Sequence, residues 1–283
     1  MERAIEVRRL SRPEEFEAAV EVQARAWRMN DYREAAPAHV LRGLADNGGL
    51  VLGAFHDGRM IGVSYGWPNN SGGYFYSHAT GVVEEAKYRG VGFLLKAKQR
   101  SEVMAMGFEL AKWTFDPLQA LNSRFNLVKL GAIARSYHVN YYGEIRDPIN
   151  RGLGSDRVKA EWFLSSRRVK EALDHAMSGR IPRVRDPDCI VVEYSGGMPR
   201  IHKSCQSRLV GIEIPASISQ VREDYGVDAA RAWREATRRA YADLIGRKGY
   251  VLVWNVKRGE YSVNLLVKAG LDEVLASYPL PDL

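Results

Sequence analysis

The residues best suited to chemistry form a short turn, Lys87-Tyr88-Arg89-Gly90-Val91-Gly92, which runs straight into a helical stretch bearing Val91, Leu94, Leu95 and Met104. A diphosphate carries dense negative charge and needs several donors at close range. The first turn of a helix offers unpaired N–H groups and the positive end of the dipole. Glycines remove the Cβ atoms that would hold phosphate oxygens off the backbone, and Lys87 and Arg89 add charge at the rim. The same residues also suit a plain strand-to-helix turn. The spacing lacks the third glycine of a dinucleotide fingerprint, and no Gly-Lys-Ser/Thr follows as a P-loop requires.

The surrounding elements must position this turn. Ile5 to Leu10 alternates as a first strand, and Ser11-Arg12-Pro13-Glu14 fits a capping box ahead of a helix that buries Phe16, Val20, Ala24 and Trp27. A second short helix spans 37–45. Runs 50–55 and 60–65 flank Asp57-Gly58, a hairpin signal. Residues 68–73 read as a loop and 74–83 as the strand that leads into the turn. Gly107 closes the next helix, Ala111, Trp113 and Phe115 alternate on a strand, and a helix through Phe125, Leu127, Val128 and Leu130 ends at Gly131. Strands follow near 133–137 and 158–164. This order predicts an α/β (α+β) class, with a mixed sheet flanked by helices.

Lys87-x-x-Gly90-x-Gly92 resembles the Arg/Gln-x-x-Gly-x-Gly/Ala motif of the GNAT superfamily of acyl-CoA N-acyltransferases. Val82-Val83-Glu84-Glu85 is similar to that family's lead-in, and Lys129-Leu130-Gly131-Ala132 to its Lys-Leu-Gly-Phe helix ending. Thr114 to Gln119, Asn122, Phe125-Asn126 and Tyr142-Gly143 resemble one poorly characterised GNAT subfamily of predicted acetyltransferases with a C-terminal extension. The resemblance implies a GNAT-like, mostly antiparallel twisted sheet over 1–165, with 166–283 as an α+β extension packing on it. It also implies acetyl-CoA as cosubstrate, no metal, and acetyl transfer to a small-molecule or peptide amine. The coenzyme would be held by Val82, Val83, Lys87, Tyr88, Arg89, Gly90, Val91, Gly92, Phe93 and Asn122.

Direct attack of an amine on a thioester needs a base for the ammonium, a donor for the carbonyl oxygen and an acid for the leaving thiolate. His78 is the first candidate base: four residues before Val82, it should share that residue's face, and its pKa suits neutrality. It reads equally as a half-buried strand residue satisfied by a carbonyl. Glu84 and Glu85 are weaker candidates, read otherwise as loop solvation. The resemblance places the oxyanion donor among the main-chain N–H groups near Val82 and Val83. The acid of many relatives falls at Leu127 here, which cannot donate a proton. Tyr142 takes its place as candidate, with Tyr137 and Tyr141 beside it; aromatic packing accounts for the same cluster. Asn122 is either a pantetheine contact or a helix N-cap, and Asp116 an amine contact or a turn starter.

Beyond Arg167, residues 169–177 read as a helix, 190–194 and 209–214 as strands, and 251–256 with 261–267 as a closing hairpin. Ala229, Trp233, Ala236, Ala240 and Leu244 form a helical stripe, with Arg231, Arg234, Arg238 and Arg239 off it, a solvated face partnered by Glu235 and Asp243. The net charge is +7, from 41 basic and 34 acidic residues. It suits an anionic cosubstrate and brings no base-reading pattern, so nucleic acid is not expected as a partner. Cys189 and Cys205 stand apart from any Cys-x-x-Cys pair and read as reduced thiols. No segment approaches the ~20 apolar residues of a membrane span, so the expected location is the cytoplasm, with no membrane partner; a homodimer is compatible. The alternative function is a non-catalytic acyl-CoA-binding or regulatory module.

Overall fold

The computed structural model describes residues 4–29, 31–86, 90–143, 152–202, 205–281 and 283. The chain divides into two compact units, Met1–Trp113 and Thr114–Leu283. The 1–165 and 166–283 division drawn from sequence concerns function and remains a proposal.

In the first unit, β1 (Glu6–Arg9) precedes α1 (Pro13–Trp27) and α2 (Ala38–Asp46). Helix α1 starts one residue later than the sequence suggests. Arg12 is its N-cap, Pro13 follows, and the box acid is Glu15, whose Oε2 accepts from the Ser11 and Arg12 N–H groups at 2.9 and 3.2 Å. Glu15 also receives Arg8 at 2.7 Å. That hydrogen bond, against the opposing effect of burial, holds the carboxyl well below the usual carboxylate range. β2 (Leu50–His56) and β3 (Arg59–Asn69) form the expected hairpin; Asp57 and Gly58 both take positive φ, 49° and 75°, as a tight two-residue turn requires. β3 runs through Trp67, Pro68 and Asn69, so the following loop is shorter than expected.

β4 (Tyr74–Val82) pairs antiparallel with β3 along its length, then α3 (Val91–Ala105) leads to β5 (Leu110–Phe115). The first unit's strand order is β1-β2-β3-β4-β5, antiparallel except for β4 with β5. Helix α3 buries Val91, Leu95 and Val103. Leu94 and Met104, expected in that stripe, are 39% and 38% exposed. The inward places between are taken instead by Lys96 and Gln99.

In the second unit, α4 (Ala120–Ser123) continues as a π-helical turn, Arg124–Lys129, which buries Asn126, Leu127 and Val128. β6 (Ile133–His138), β7 (Arg157–Phe163), α5 (Arg167–Met177), β8 (Cys189–Ser195), β9 (Met198–Ile201) and β10 (Leu209–Pro215) follow. Helix α6 (Ile218–Tyr241) is interrupted at Gly226, φ 85°, before β11 (Val251–Arg258), β12 (Tyr261–Val267) and α7 (Leu271–Leu275). The strand order is β7-β6-β11-β12-β10-β8-β9, so β6 and β7 join β11 through Leu252↔Ala134.

The stripe Ala229, Trp233, Ala236, Ala240 and Leu244 is buried as expected. Of its neighbouring arginines, Arg231 and Arg239 are exposed, and Arg239 pairs with Glu235 at 2.9 Å as expected; Arg234 and Arg238 turn inward instead. Arg234 is 4% exposed and meets Asp116 with both guanidinium nitrogens, at 2.8 and 2.5 Å. Arg238 reaches Asp156 at 2.8 and 2.9 Å. Cys189 and Cys205 are joined as a disulfide, Cα–Cα 6.5 Å, which corrects the expectation of two free thiols. The strand start at Cys189 and the segment at Cys205 approach in the fold although 16 residues separate them in sequence. Among the described residues no helix is long and apolar enough to cross a membrane, and no group of His, Cys, Asp or Glu is arranged to hold a metal ion.

Candidate active site

The first unit's candidate residues centre on a bulge. β3–β4 pairing shifts between Tyr65↔Ala79 and Gly66↔Ser77, which leaves His78 as the extra residue on β4. The bulge resets the alternation of side chains. A Cβ on Gly62, the partner of Val82, would meet Leu95 and Val91 of α3, whereas one on Gly81 would meet Trp27 of α1. Val82 therefore faces α3. His78 packs instead against the rings of Tyr65 and Trp67, at 5.4 and 5.1 Å between centroids, and the Tyr65 hydroxyl donates to Gln23 of α1 at 3.1 Å. The expected common face of His78 and Val82 is thus overturned, because one inserted residue changes the parity of a strand. His78 keeps an exposed edge, yet the rings against it remove water from one side, and this desolvation lowers its pKa.

The ladder also separates Val82 from Val83. The Val83 N–H donates to the Ile61 carbonyl at 3.0 Å. It is therefore taken, and Val83 is corrected as a main-chain donor to substrate. Hydrogen-bonded pairs alternate along an antiparallel ladder, so the N–H of Val82 points away from β3. On that side, among the described residues, the first unit pairs β4 with β5 at Phe75↔Ala111 and Tyr76↔Lys112 and nowhere further along β4. Past His78, the edge of β4 that carries the Val82 N–H has left that ladder.

Gly90 is the N-cap of α3 with φ 75°, the left-handed region that favours glycine, and a Cβ there would meet nothing within 4 Å. Conformation, not crowding by the protein, calls for glycine. The helix's bonds begin with Leu94 N–H to the Gly90 carbonyl at 3.0 Å. The N–H groups of Val91, Gly92 and Phe93 come ahead of it, in the first turn, where helices lack internal acceptors. Lys87, Tyr88 and Arg89 lie outside the described residues.

Glu84 and Glu85, the weaker base candidates, are each paired with α1. Glu84 takes Arg28 at 2.7 Å and Glu85 takes Arg25. The arginines commit these carboxylates to anchoring the segment ahead of the turn rather than to proton abstraction. Sequence reasoning missed Lys96. It is 3% exposed, donates to Ser77 at 3.0 Å and Gln99 at 2.8 Å, and lies 3.7 Å over the Trp113 ring. Burial pushes its pKa down to about 7. The available signal was its spacing to Gln99 and Val103, which puts the three on one helix face turned away from Leu94.

Asn122 and Tyr142 belong to the second unit. Asn122 sits exposed inside α4, whose N-cap is Gln119, so the N-cap alternative falls away. Tyr142 is 45% exposed, with its hydroxyl 2.8 Å from Thr114 Oγ1 and its ring edge-on to Tyr141. Tyr137 is committed to Asp156 at 2.5 Å, and burial, then that carboxylate, raises its pKa. Asp116 is neither an amine contact nor a bare turn residue. It is the buried partner of Arg234, and its Oδ1 accepts from Leu118 N–H at 2.9 Å. Burial alone would lower the Arg234 pKa; Asp116 outweighs it and holds the group charged. A cleft lined by Arg167, Glu171, His175 and Tyr278 contains none of the candidate residues.

No family model and no curated protein matches the chain. Solved structures do. One is assigned to the GNAT acetyltransferase family of Desulfovibrio desulfuricans, at 19% identity and TM-score 0.45, covering 57% of this chain and 100% of that one. An N-acetyltransferase from Staphylococcus aureus Mu50 aligns at 13% identity and TM-score 0.48, over 58% and 100% of the two chains. The ribosomal-protein-S18-alanine N-acetyltransferase from Escherichia coli aligns at 13% identity and TM-score 0.46, over 57% and 95%. The chain is similar, over somewhat more than half its length, to structures of acetyltransferases, one of them assigned to the GNAT family, and the rest of it lies outside those alignments.

Proposed function

We propose that the protein is an N-acetyltransferase that moves an acetyl group from acetyl-CoA to an amine of a small molecule or peptide. The observation that carries the reading is the edge of β4 past His78, where the Val82 N–H turns away from its ladder just before Gly90 opens α3. A pantetheine chain is an amide chain, and a free strand edge hydrogen-bonds it as it would a further strand. The first-turn amides of Val91, Gly92 and Phe93 supply donors to the diphosphate, and Gly90 shapes the approach. With this reading go a 1–165 catalytic portion, a 166–283 extension and a cytoplasmic location.

In the reaction, His78 takes one proton from the acceptor ammonium, and the freed lone pair attacks the thioester carbonyl carbon. The Val82 N–H faces the developing oxyanion. The C–S bond breaks, and the leaving thiolate takes up the nitrogen's second proton through water. The products are the amide, coenzyme A and the proton held by His78.

The test is thermal. Acetyl-CoA at about 100 times its Kd should raise the Tm by roughly 5 °C or more, because it binds only the folded chain. Gly90→Val should remove that rise, since a β-branched residue cannot hold φ 75° without strain. An unchanged melting curve with acetyl-CoA, or a full rise in the variant, sinks the reading. Thiol release on adding an amine panel then separates an enzyme from a silent acyl-CoA binder.

A further inference from the structure

The bulge in β4 does more than free a strand edge: it turns His78 into a group of aromatic rings. Trp67 and Tyr76 are cross-strand partners with centroids 5.3 Å apart. The imidazole of His78 stacks on Trp67 at 5.1 Å with 30° between planes, and meets Tyr76 at 6.0 Å and Tyr65 at 5.4 Å. Tyr65 is buried and fixed to Gln23, but Trp67 is 36% exposed and His78 is exposed. The buried Lys96 of α3 is held to Ser77 of β4, on the α3 side of the sheet, behind the rings.

We propose that Trp67, Tyr76 and His78 form the subsite for the acceptor's reacting group, and that this group is a primary alkylammonium on an apolar stem. The inference rests on the acetyltransferase reading for its role in the reaction, and names the substrate class of the same site. The argument is one of complementarity. The face of an indole or phenol ring is negative and attracts a cation. A neutral imidazole presents a lone pair to an N–H donor, and desolvation keeps His78 neutral to lower pH than usual. The rings favour a hydrocarbon stem beside the charge. An ammonium drawn to Trp67 sits beside His78, the group that must remove its proton, so one cluster performs recognition and activation. A heavily hydroxylated amine would gain less from such a wall.

The experiment uses the full chain without coenzyme. Butyltrimethylammonium carries the charge but no N–H to donate or acylate, and its neutral carbon isostere has the same shape. Their affinities are read by competition or calorimetry. The expected result is a preference of roughly threefold to thirtyfold for the cation, the range that a ring–cation contact provides. Trp67→Phe keeps most of it. Trp67→Ala loses it, with the unliganded melting temperature confirming that the variant is folded; Tyr76→Leu repeats the test from the neighbouring strand. Equal binding of cation and isostere, or a preference untouched in folded Trp67→Ala and Tyr76→Leu, overturns the proposal. A thermal shift with acetyl-CoA on the same samples separates the two readings. If coenzyme binds and the preference is absent, the subsite alone fails. If the preference holds and no coenzyme binds, the rings remain an ammonium site and the acetyltransferase reading fails.

Discussion

Lys96 shows how a single charged side chain can be placed inside a sheet–helix contact. Its ammonium has two oxygen partners and a ring face, and desolvation still draws its pKa down to about 7. Below pH 7 the folded and unfolded chains both hold the proton, and the full cost of burying the charge is present. Between pH 7 and about 10.4, the unfolded lysine value, the unfolded chain binds a proton that the folded one lacks, so stability rises with pH. Lys96→Met should flatten that rise, which in the parent chain is on the order of 3 kcal/mol; urea unfolding at pH 7 and pH 9 measures it. For His78 the shift acts on activity. The acid limb of kcat/KM should have its midpoint below the ordinary imidazole value of about 6.5, and His78→Gln should abolish the limb and reduce kcat by about 10²–10⁴. A limb unchanged in the variant assigns the base elsewhere. At this scale the sequence singled out His78 correctly as a strand residue, but by a parity argument that the bulge overturns; nothing in Tyr76-Ser77-His78-Ala79 signals an inserted residue.

Elements were far more legible than contacts. The hairpin turned at Asp57-Gly58, the strand ahead of Gly90, helix α3 and the closing hairpin around Gly259 follow from periodicity and turn chemistry, because those signals lie within a few residues. The partners of Arg234 and Arg238 were not legible, since Asp116 lies 118 residues from Arg234 in sequence and Asp156 lies 82 from Arg238. Asp116 gives α6 a hold on the segment that opens α4, and Asp156, the residue before β7, gives it a second. Asn264 adds another, donating to the Pro117 carbonyl at 2.9 Å. Arg234→Met should destabilise the second unit by about 3–5 kcal/mol, because it leaves the buried Asp116 carboxylate with the longer ion pair to Arg157, at 3.8 Å. The double variant Asp116→Leu with Arg234→Met should recover much of that loss. Chemical denaturation of the parent and the two variants decides it: Arg234→Met as stable as the parent, or a double variant no more stable than the single one, contradicts the prediction.

At the scale of the whole molecule, the expected role for residues 166–283 meets a physical constraint. β6 and β7 lie before residue 166, yet they share a sheet with β11, and Arg168 donates from α5 to the carbonyls of Gly131 at 3.0 Å and Val253 at 2.5 Å. A chain cut after residue 165 would leave β6 without Leu252 opposite Ala134 and Gly131 without Arg168 and Ala172 against it. Such a fragment should aggregate or remain unfolded, as circular dichroism and size exclusion would show; a soluble, cooperatively melting fragment contradicts this. The interleaving has a further consequence, for synthesis. As the chain leaves the ribosome, Met1–Trp113 has every strand it needs soon after residue 113 emerges. The strands at 133–138 and 157–163 pair with each other, but β6 must wait through residues 164–250 for Val251–Arg258 on its other side. During that interval the newborn protein carries a finished first half and a second half whose β6 edge is still bare, a condition in which a nascent chain needs a chaperone.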